Sequence, residues 1–213
     1  MYDTILFDLD GTLTDPKEGI TKSVQYALKK CGITPPSENE LLGFIGPPLF
    51  DSFQEFYRMP AKQANQAVAF YRERFSVTGL FENRVFDGVP ELLHTLHSHQ
   101  KTVALATAKP HIFARKILEH YNLIDQFDIL VGAELDGTRG HKTDVIKEVL
   151  RQLPDGAAPV MVGDRRQDIL GAKTCHSPSI GVRFGYAEPG ELESAGADLI
   201  VDSIPALQEA LLR

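Results

Sequence analysis

Six short apolar segments recur along the chain, and they constrain its fold more than any other feature of the sequence. They occupy residues 4–8, 102–106, 127–131, 159–163, 179–182 and 198–201. Their residues are largely apolar throughout rather than alternating, which is typical of strands covered on both faces. Helical patterns between the later segments begin near Pro90, Pro110, Val145 and Pro205. Strands that alternate with helices predict an α/β fold with a doubly wound, mostly parallel sheet and right-handed crossovers.

Residues 16–86 break this alternation, because helical patterns follow one another there without a strand-like run between them. Four groups of apolar residues recur at helical spacing. Before the second group, Ser37 and Glu40 form a capping-box pattern, which is typical of a helix start. We therefore predict a core of residues 1–15 and 87–213, interrupted by an all-helical insert at 16–86.

Composition excludes several classes of protein. The chain has 22 Lys and Arg residues against 29 Asp and Glu, so its formal net charge is −7. This acidic balance argues against nucleic-acid binding, which needs clustered basic residues. No apolar run reaches the ~18 residues that cross a bilayer, and no secretory signal pattern opens the sequence. Cys31 and Cys175 form no close-spaced motif, so we expect no disulfide scaffold, a cytoplasmic location and no membrane partner.

Aspartates follow two of the predicted strands. Asp8 ends the first strand and Asp10 comes two residues later, while Asp164 follows the strand at 159–163 and Asp168 lies four residues further on. Ligands of open parallel sheets bind beyond the carboxyl ends of the strands. If these strands are neighbours, the four carboxylates repel one another unless a cation neutralises them. Oxygen ligands completed by water favour Mg²⁺.

Two further polar residues follow other strands of the predicted sheet. Thr107 comes directly after the strand at 102–106, and Lys142 lies on the loop and helix start after 127–131. A phosphate would use both of them, because it accepts hydrogen bonds from a hydroxyl and pairs with a cation. Each residue alone has an ordinary explanation, such as a helix N-cap or a surface lysine. Their occurrence together with the aspartates points to a phosphate site.

The sequence here resembles a known family. Residues 7–15, Phe-Asp-Leu-Asp-Gly-Thr-Leu-Thr-Asp, resemble the first motif of the haloacid dehalogenase (HAD) superfamily. Thr107 resembles its second motif, Lys142 its third, and residues 163–168, Gly-Asp-Arg-Arg-Gln-Asp, its fourth. The helical insert resembles the family's cap, so the resemblance implies a Rossmann-like core with an inserted cap. Within the superfamily the chain looks most like the phosphoglycolate phosphatase-like hydrolases, although Ala108 stands where Asn or Ser is common.

The resemblance implies a two-step hydrolysis of a phosphomonoester. Asp8 would attack phosphorus to form an aspartyl-phosphate, and Asp10 would protonate the leaving oxygen and then activate water. Mg²⁺ would be bound by the Asp8 side chain, the Asp10 backbone carbonyl and Asp164, with Asp168 ligating through water or orienting the others. The phosphate would be held by Lys142, the Thr107 hydroxyl and the backbone N–H groups that follow Asp8 and Thr107, which are those of Leu9, Asp10 and Ala108.

Other residues remain open at this level. A cap loop that includes Phe44, Ile45, Gly46 and Pro47 is expected to approach the site, or is only a turn between helices. Arg139 is either a substrate contact or a structural ion pair. The substrate is a small phosphorylated metabolite: phosphoglycolate, a nucleoside 5′-monophosphate, a sugar phosphate and pyrophosphate all remain candidates. We expect a monomer or a small homo-oligomer.

Three other activities share parts of this pattern. A mutase of the β-phosphoglucomutase kind would use the same aspartyl-phosphate, but the apolar cap loop resembles the phosphatases more. A haloacid dehalogenase would need no metal, which the aspartate set argues against. A non-enzymatic phosphoacceptor switch, like a response-regulator receiver, would have no use for the helical insert, and its long-lived phosphoryl group would be at risk from Asp10.

Overall fold

The computed structural model describes residues 2–213. Within them the chain divides into two compact units. The first, which we call the sheet unit, contains the described residues up to Asp15 together with Val85–Arg213. The second, which we call the helical unit, is Pro16–Arg84. The helical unit therefore ends slightly before residue 86, the boundary predicted from the sequence.

The sheet unit is built on a six-stranded parallel sheet. The strands of the chain are β1 (Thr4–Phe7), β2 (Thr14–Asp15), β3 (Arg84–Val85), β4 (Thr102–Pro110), β5 (Ile129–Ala133), β6 (Pro159–Gly163), β7 (Ser179–Val182) and β8 (Leu199–Val201). The sheet has the order β5-β4-β1-β6-β7-β8, while β2 and β3 form a separate pair. β1 pairs in parallel with both β4 and β6, so the ends of these three strands meet at one edge. The predicted α/β fold with a parallel sheet is confirmed.

The helical unit contains α1 (Lys17–Lys30), α2 (Leu49–Tyr57) and α3 (Ala61–Arg74). The capping-box pattern forms as predicted, because the Ser37 backbone N–H and hydroxyl both donate to Glu40 Oε2, at 3.1 and 2.6 Å. The segment that it opens, Glu38–Phe44, is a 3₁₀ helix rather than an α-helix. Aromatic side chains pack together in this unit, and the ring centroids of Phe44 and Phe53 lie 5.0 Å apart.

The helices of the sheet unit cover its sheet. They are α4 (Val89–Ser98), α5 (His111–His120), α6 (Lys142–Gln152), α7 (Arg166–Thr174), α8 (Glu191–Ala195) and α9 (Ile204–Leu212). One apolar cluster joins Leu6 of β1 and Met161 of β6 to Val145 and Val149 of α6. This packing places the first residue of α6, Lys142, beside the strand ends. Within residues 2–213, every helix falls short of the length and apolarity that crossing a bilayer would require.

Candidate active site

Three of the predicted aspartates meet beyond the ends of β1 and β6. Asp8, Asp164 and Asp168 are all buried, and each offers a carboxylate oxygen within 4.8 Å of the others. The backbone explains how they meet: Asp8 N–H donates to the Val162 carbonyl at 3.0 Å, which continues the pairing of the two strands. We call these three residues the acidic trio. Their oxygen-only donor set and close spacing fit a hard divalent cation such as Mg²⁺.

Hydrogen bonds and close backbone packing hold Asp164 in the acidic trio. One of its oxygens accepts from the Thr12 hydroxyl at 3.3 Å, and the other accepts from the Tyr186 N–H at 2.7 Å. Gly11 lies so near that a Cβ built there would stand 2.1 Å from Asp164 Oδ2, and its φ of +83° suits glycine. The turn after β1 is therefore shaped around this carboxylate.

Lys142 is the cation that the protein itself supplies to the acidic trio. Its Nζ lies 2.7 Å from Asp8 Oδ1 and 2.8 Å from Asp168 Oδ1, and it donates to the Ala106 carbonyl at 3.1 Å. Burial opposes its charged form, but the carboxylates of Asp168 and Asp8 outweigh burial, and the pKa of Lys142 is raised. The ammonium therefore stays charged and holds the two carboxylates in place.

The acidic trio carries more negative charge than Lys142 can balance. Burial, followed by the nearby charges of Asp168 and Asp8, raises the pKa of Asp164 well above its usual value. Burial also raises the pKa of Asp168 to about 6, against the opposing effect of Lys142. Asp168 Oδ2 accepts the Arg165 N–H at 3.0 Å, which fixes the carboxyl relative to α7. Such raised pKa values indicate a site that favours one further cation.

Asp10 lies apart from the acidic trio, and its side chain pairs with Lys109. Lys109 Nζ donates to Asp10 Oδ2 at 2.6 Å, and both side chains are buried. The other oxygen, Oδ1, is buried and accepts no hydrogen bond. Burial raises the pKa of Asp10 although Lys109 opposes the shift. The resemblance implies that Asp10 would offer a metal its backbone carbonyl rather than this side chain.

Apart from Lys142, which begins α6, the predicted phosphate-binding residues lie close to the ends of β1 and β4. Thr107 is buried, and its hydroxyl accepts the Lys109 N–H at 3.2 Å. The register of β4 against β5 shifts between Thr107 and Pro110, so the strand is irregular at this point. Leu9 is fully buried and directly follows Asp8, while Ala108 is only partly buried. The structure thus brings the residues of all four motifs to one edge of the sheet.

Two predicted candidates have other partners. The Arg139 guanidinium pairs with Glu134 and donates to the Gly132 carbonyl at 3.3 Å, so the structure favours the ion-pair interpretation. In the helical unit, the Phe44 ring packs against the rings of Phe53 and Phe56. Phe44 therefore has a packing role. The approach of Phe44, Ile45, Gly46 and Pro47 to a substrate stays a prediction.

Lys109 is the site residue to which sequence reasoning gave no role. It lies near the end of β4, and its contact with Asp10 joins residues 99 positions apart in the sequence. Only the pairing of β1 with β4 brings the two side chains together. A buried lysine two residues after the motif-two threonine carries no local signal of its partner.

Comparison with known proteins gives one matching family and several relatives. The sequence model of the family described as haloacid dehalogenase-like hydrolase matches residues 5–182. A 5′-nucleotidase from Pseudomonas aeruginosa is 46% identical over 213 residues, covering 99% of this chain and 96% of its own. A plasmid phosphoglycolate phosphatase from Cupriavidus necator is 31% identical over 212 residues, with coverage of 97% and 92%. The solved structure of a predicted phosphatase from Clostridium acetobutylicum has a TM-score of 0.96 and 42% identity, and covers 100% of this chain and 99% of that one.

Proposed function

Because this chain belongs to the haloacid dehalogenase-like hydrolases and is a phosphatase of that family, we propose that it cleaves a small phosphomonoester through a phosphoryl intermediate on Asp8. The observation that carries the proposal is the buried acidic trio, with Lys142 Nζ 2.7 Å from the Asp8 carboxylate. A carboxylate fixed in this way is oriented as a nucleophile without needing a separate base.

In the first step, an Asp8 oxygen attacks phosphorus while the bond from phosphorus to the leaving oxygen breaks. Asp10 donates its proton to that oxygen, and its raised pKa favours the protonated form that this step requires. In the second step, water attacks the phosphoryl group, Asp10 takes a proton from the water, and the bond to Asp8 breaks. Lys142, the Thr107 hydroxyl and the N–H groups of the strand ends stabilise the oxygens of the transferring group.

We propose that the acidic trio and the Asp10 carbonyl hold a divalent cation, with Mg²⁺ as the expected ion. When bound, this cation would neutralise charge so that the anionic carboxylate can approach an anionic phosphate. Asp164 would act as a ligand, while Asp168 would ligate or orient the others through its contacts with Lys142 and the Arg165 N–H. We also propose that the helical unit serves as the cap that the family resemblance implies.

Among substrates, nucleoside 5′-monophosphates are our first choice. A relative that is 46% identical over 99% of this chain is named for 5′-nucleotidase activity, whereas the relative named for phosphoglycolate is 31% identical. Both relatives extend along nearly the whole chain, so each includes the sheet unit and the helical unit. The higher identity favours the nucleotide, while phosphoglycolate remains the second candidate.

Phosphate release with Mg²⁺ tests both the reaction and the substrate. The panel contains nucleoside 5′-monophosphates, phosphoglycolate, a sugar phosphate and pyrophosphate. We expect the highest kcat/KM on a nucleotide, complete loss in Asp8→Asn, and unchanged turnover in Asp155→Asn, which alters an exposed aspartate. Retained turnover in Asp8→Asn would remove Asp8 as nucleophile, and insensitivity to a chelator would remove the metal. A higher kcat/KM on phosphoglycolate would overturn the choice of substrate.

A further inference from the structure

We propose that Lys109 is a positioning residue for Asp10, because its ammonium holds Oδ2 and so fixes the orientation of the carboxyl group that serves the leaving oxygen. This inference rests on the proposed function, in which Asp10 protonates the leaving oxygen. The contact itself is direct: Lys109 Nζ donates to Asp10 Oδ2 at 2.6 Å, and the two side chains are 4% and 10% exposed.

The fold fixes Lys109 from several sides. Its N–H donates to the Thr107 hydroxyl at 3.2 Å, and it lies where the register of β4 shifts against β5. Its carbonyl comes so close to β5 that a Cβ built on Gly132 would stand 2.7 Å from it. The backbone at Lys109 is therefore set by its neighbours, and its side chain extends from a fixed point to the carboxyl of Asp10.

The chemistry of the two groups determines which oxygen of Asp10 is held. An ammonium has three donors and no acceptor, so the oxygen facing it must act as the acceptor. That oxygen is Oδ2, whereas Oδ1 is buried and has no other hydrogen bond, so Oδ1 is the oxygen left for proton transfer. Without Lys109, the carboxyl could rotate and present either oxygen. Lys109 would thus reduce the cost of orienting the acid before proton transfer.

A comparison of leaving groups tests this role. Nitrophenolate leaves readily without a proton, whereas the alkoxide of glycerol phosphate needs one. The ratio kcat/KM includes only the steps up to release of the alcohol, so hydrolysis of the intermediate does not affect it. We expect Lys109→Met to lower kcat/KM for glycerol phosphate by about 10–100-fold, within the range attributed to general acid catalysis, and for p-nitrophenyl phosphate by less than about 3-fold.

Two controls define this contrast. Asp10→Asn should show the same contrast between substrates with a larger loss, because it removes the acid itself. Lys116→Met, which alters an exposed lysine, should leave both substrates unchanged. Because both substrates are measured on one preparation, partial misfolding lowers both rates equally and leaves their ratio unchanged. If Lys109→Met does not fold, Lys109→Gln serves in its place.

A double-mutant cycle completes the test. If Lys109 acts through Asp10, adding Lys109→Met to Asp10→Asn should cause no further loss on glycerol phosphate. An equal loss on both substrates would overturn the inference, because Lys109 would then act on the phosphoryl group or on the fold. Full activity of Lys109→Met would overturn it as well. If the unmodified protein releases phosphate from neither substrate and from no member of the substrate panel, the proposed function fails. If only Asp10→Asn shows the contrast, the inference about Lys109 fails alone.

Discussion

Replacing Lys142 with methionine should destabilise the metal-free protein, and the loss should grow with pH. Lys142 Nζ lies 2.7 Å from Asp8 Oδ1 and 2.8 Å from Asp168 Oδ1, and its side chain is 4% exposed. Methionine keeps an unbranched apolar side chain at this position but removes the charge. Removing one partner of a buried ion pair costs about 3–5 kcal/mol, because the remaining charge is left uncompensated. We expect this cost in the free energy of unfolding at pH 8.

The pH dependence follows from the pKa of Asp168. Burial raises this pKa to about 6 while Lys142 opposes the rise, so the pKa increases further when Lys142 is removed. As the pH rises above 6, the variant keeps a proton on Asp168 that the unmodified protein loses and that the unfolded chain has already lost. A folded state that binds one extra proton loses about 1.4 kcal/mol of stability per pH unit. Because the unmodified protein still carries this proton about half of the time at pH 6, the cost of the substitution should be smaller by about 2 kcal/mol at pH 6 than at pH 8.

Urea unfolding at pH 6 and pH 8 in the presence of a chelator measures this difference. The matched control is Lys173→Met, because Lys173 is exposed and its Nζ donates only to a neutral acceptor, the Ala195 carbonyl, at 3.0 Å. We expect the control to lose less than about 1.5 kcal/mol at either pH, the ordinary value of one hydrogen bond. A cost for Lys142→Met that is equal at the two pH values, or no larger than that of the control at pH 8, would show that Lys142 does not neutralise the buried carboxylates.

Three further outcomes follow from the site. Mg²⁺ should raise the Tm more at pH 8 than at pH 5.5. Metal binding requires ionised carboxylates, and burial raises the pKa values of Asp164 and Asp168. An equal rise of the Tm in Asp164→Asn would contradict the assignment of Asp164 as a metal ligand. Gly185→Ala should lower the free energy of unfolding in urea by about 1–3 kcal/mol and slow phosphate release, because the new Cβ would stand 2.3 Å from the Gly11 carbonyl oxygen. Unchanged stability and activity would show that the turn can relax. Arg139→Ala should change stability by less than about 1 kcal/mol and leave KM unaltered, since the paired side chains of Arg139 and Glu134 are 32% and 48% exposed. A raised KM would instead identify Arg139 as a substrate contact.

The sequence predicted the strands of the sheet well, because a strand covered on both faces must be apolar along its length. The first and last residues of each strand were less predictable, since they depend on partners that are distant in the sequence. β5 begins at Ile129 rather than at residue 127, because the Asp128 carboxylate accepts the Val103 N–H at 2.8 Å from the neighbouring strand. β4 extends to Pro110, past the apolar run, since it continues to pair with β5 through a register shift.

In the site as well, residues with a local sequence signal were predicted, whereas a contact between residues distant in the sequence was missed. The acidic residues were identifiable because each follows an apolar run, and the edge of a parallel sheet gathers such positions. The pair of Asp10 and Lys109 was not, because nothing near either residue indicates the other. Short elements were also missed: α8 spans only Glu191–Ala195, and β2 and β3 contain two residues each, which is too short for a periodic pattern.

The central claim, that Asp8 carries the phosphoryl group, is tested most directly by mass spectrometry of the protein quenched in acid during turnover. We predict one added phosphoryl group on the peptide that contains Asp8. It should accumulate further in Asp10→Asn with p-nitrophenyl phosphate, because water activation is lost while nitrophenolate still leaves. Phosphate release with no phosphorylated peptide, or with the group on a different residue, would contradict the account.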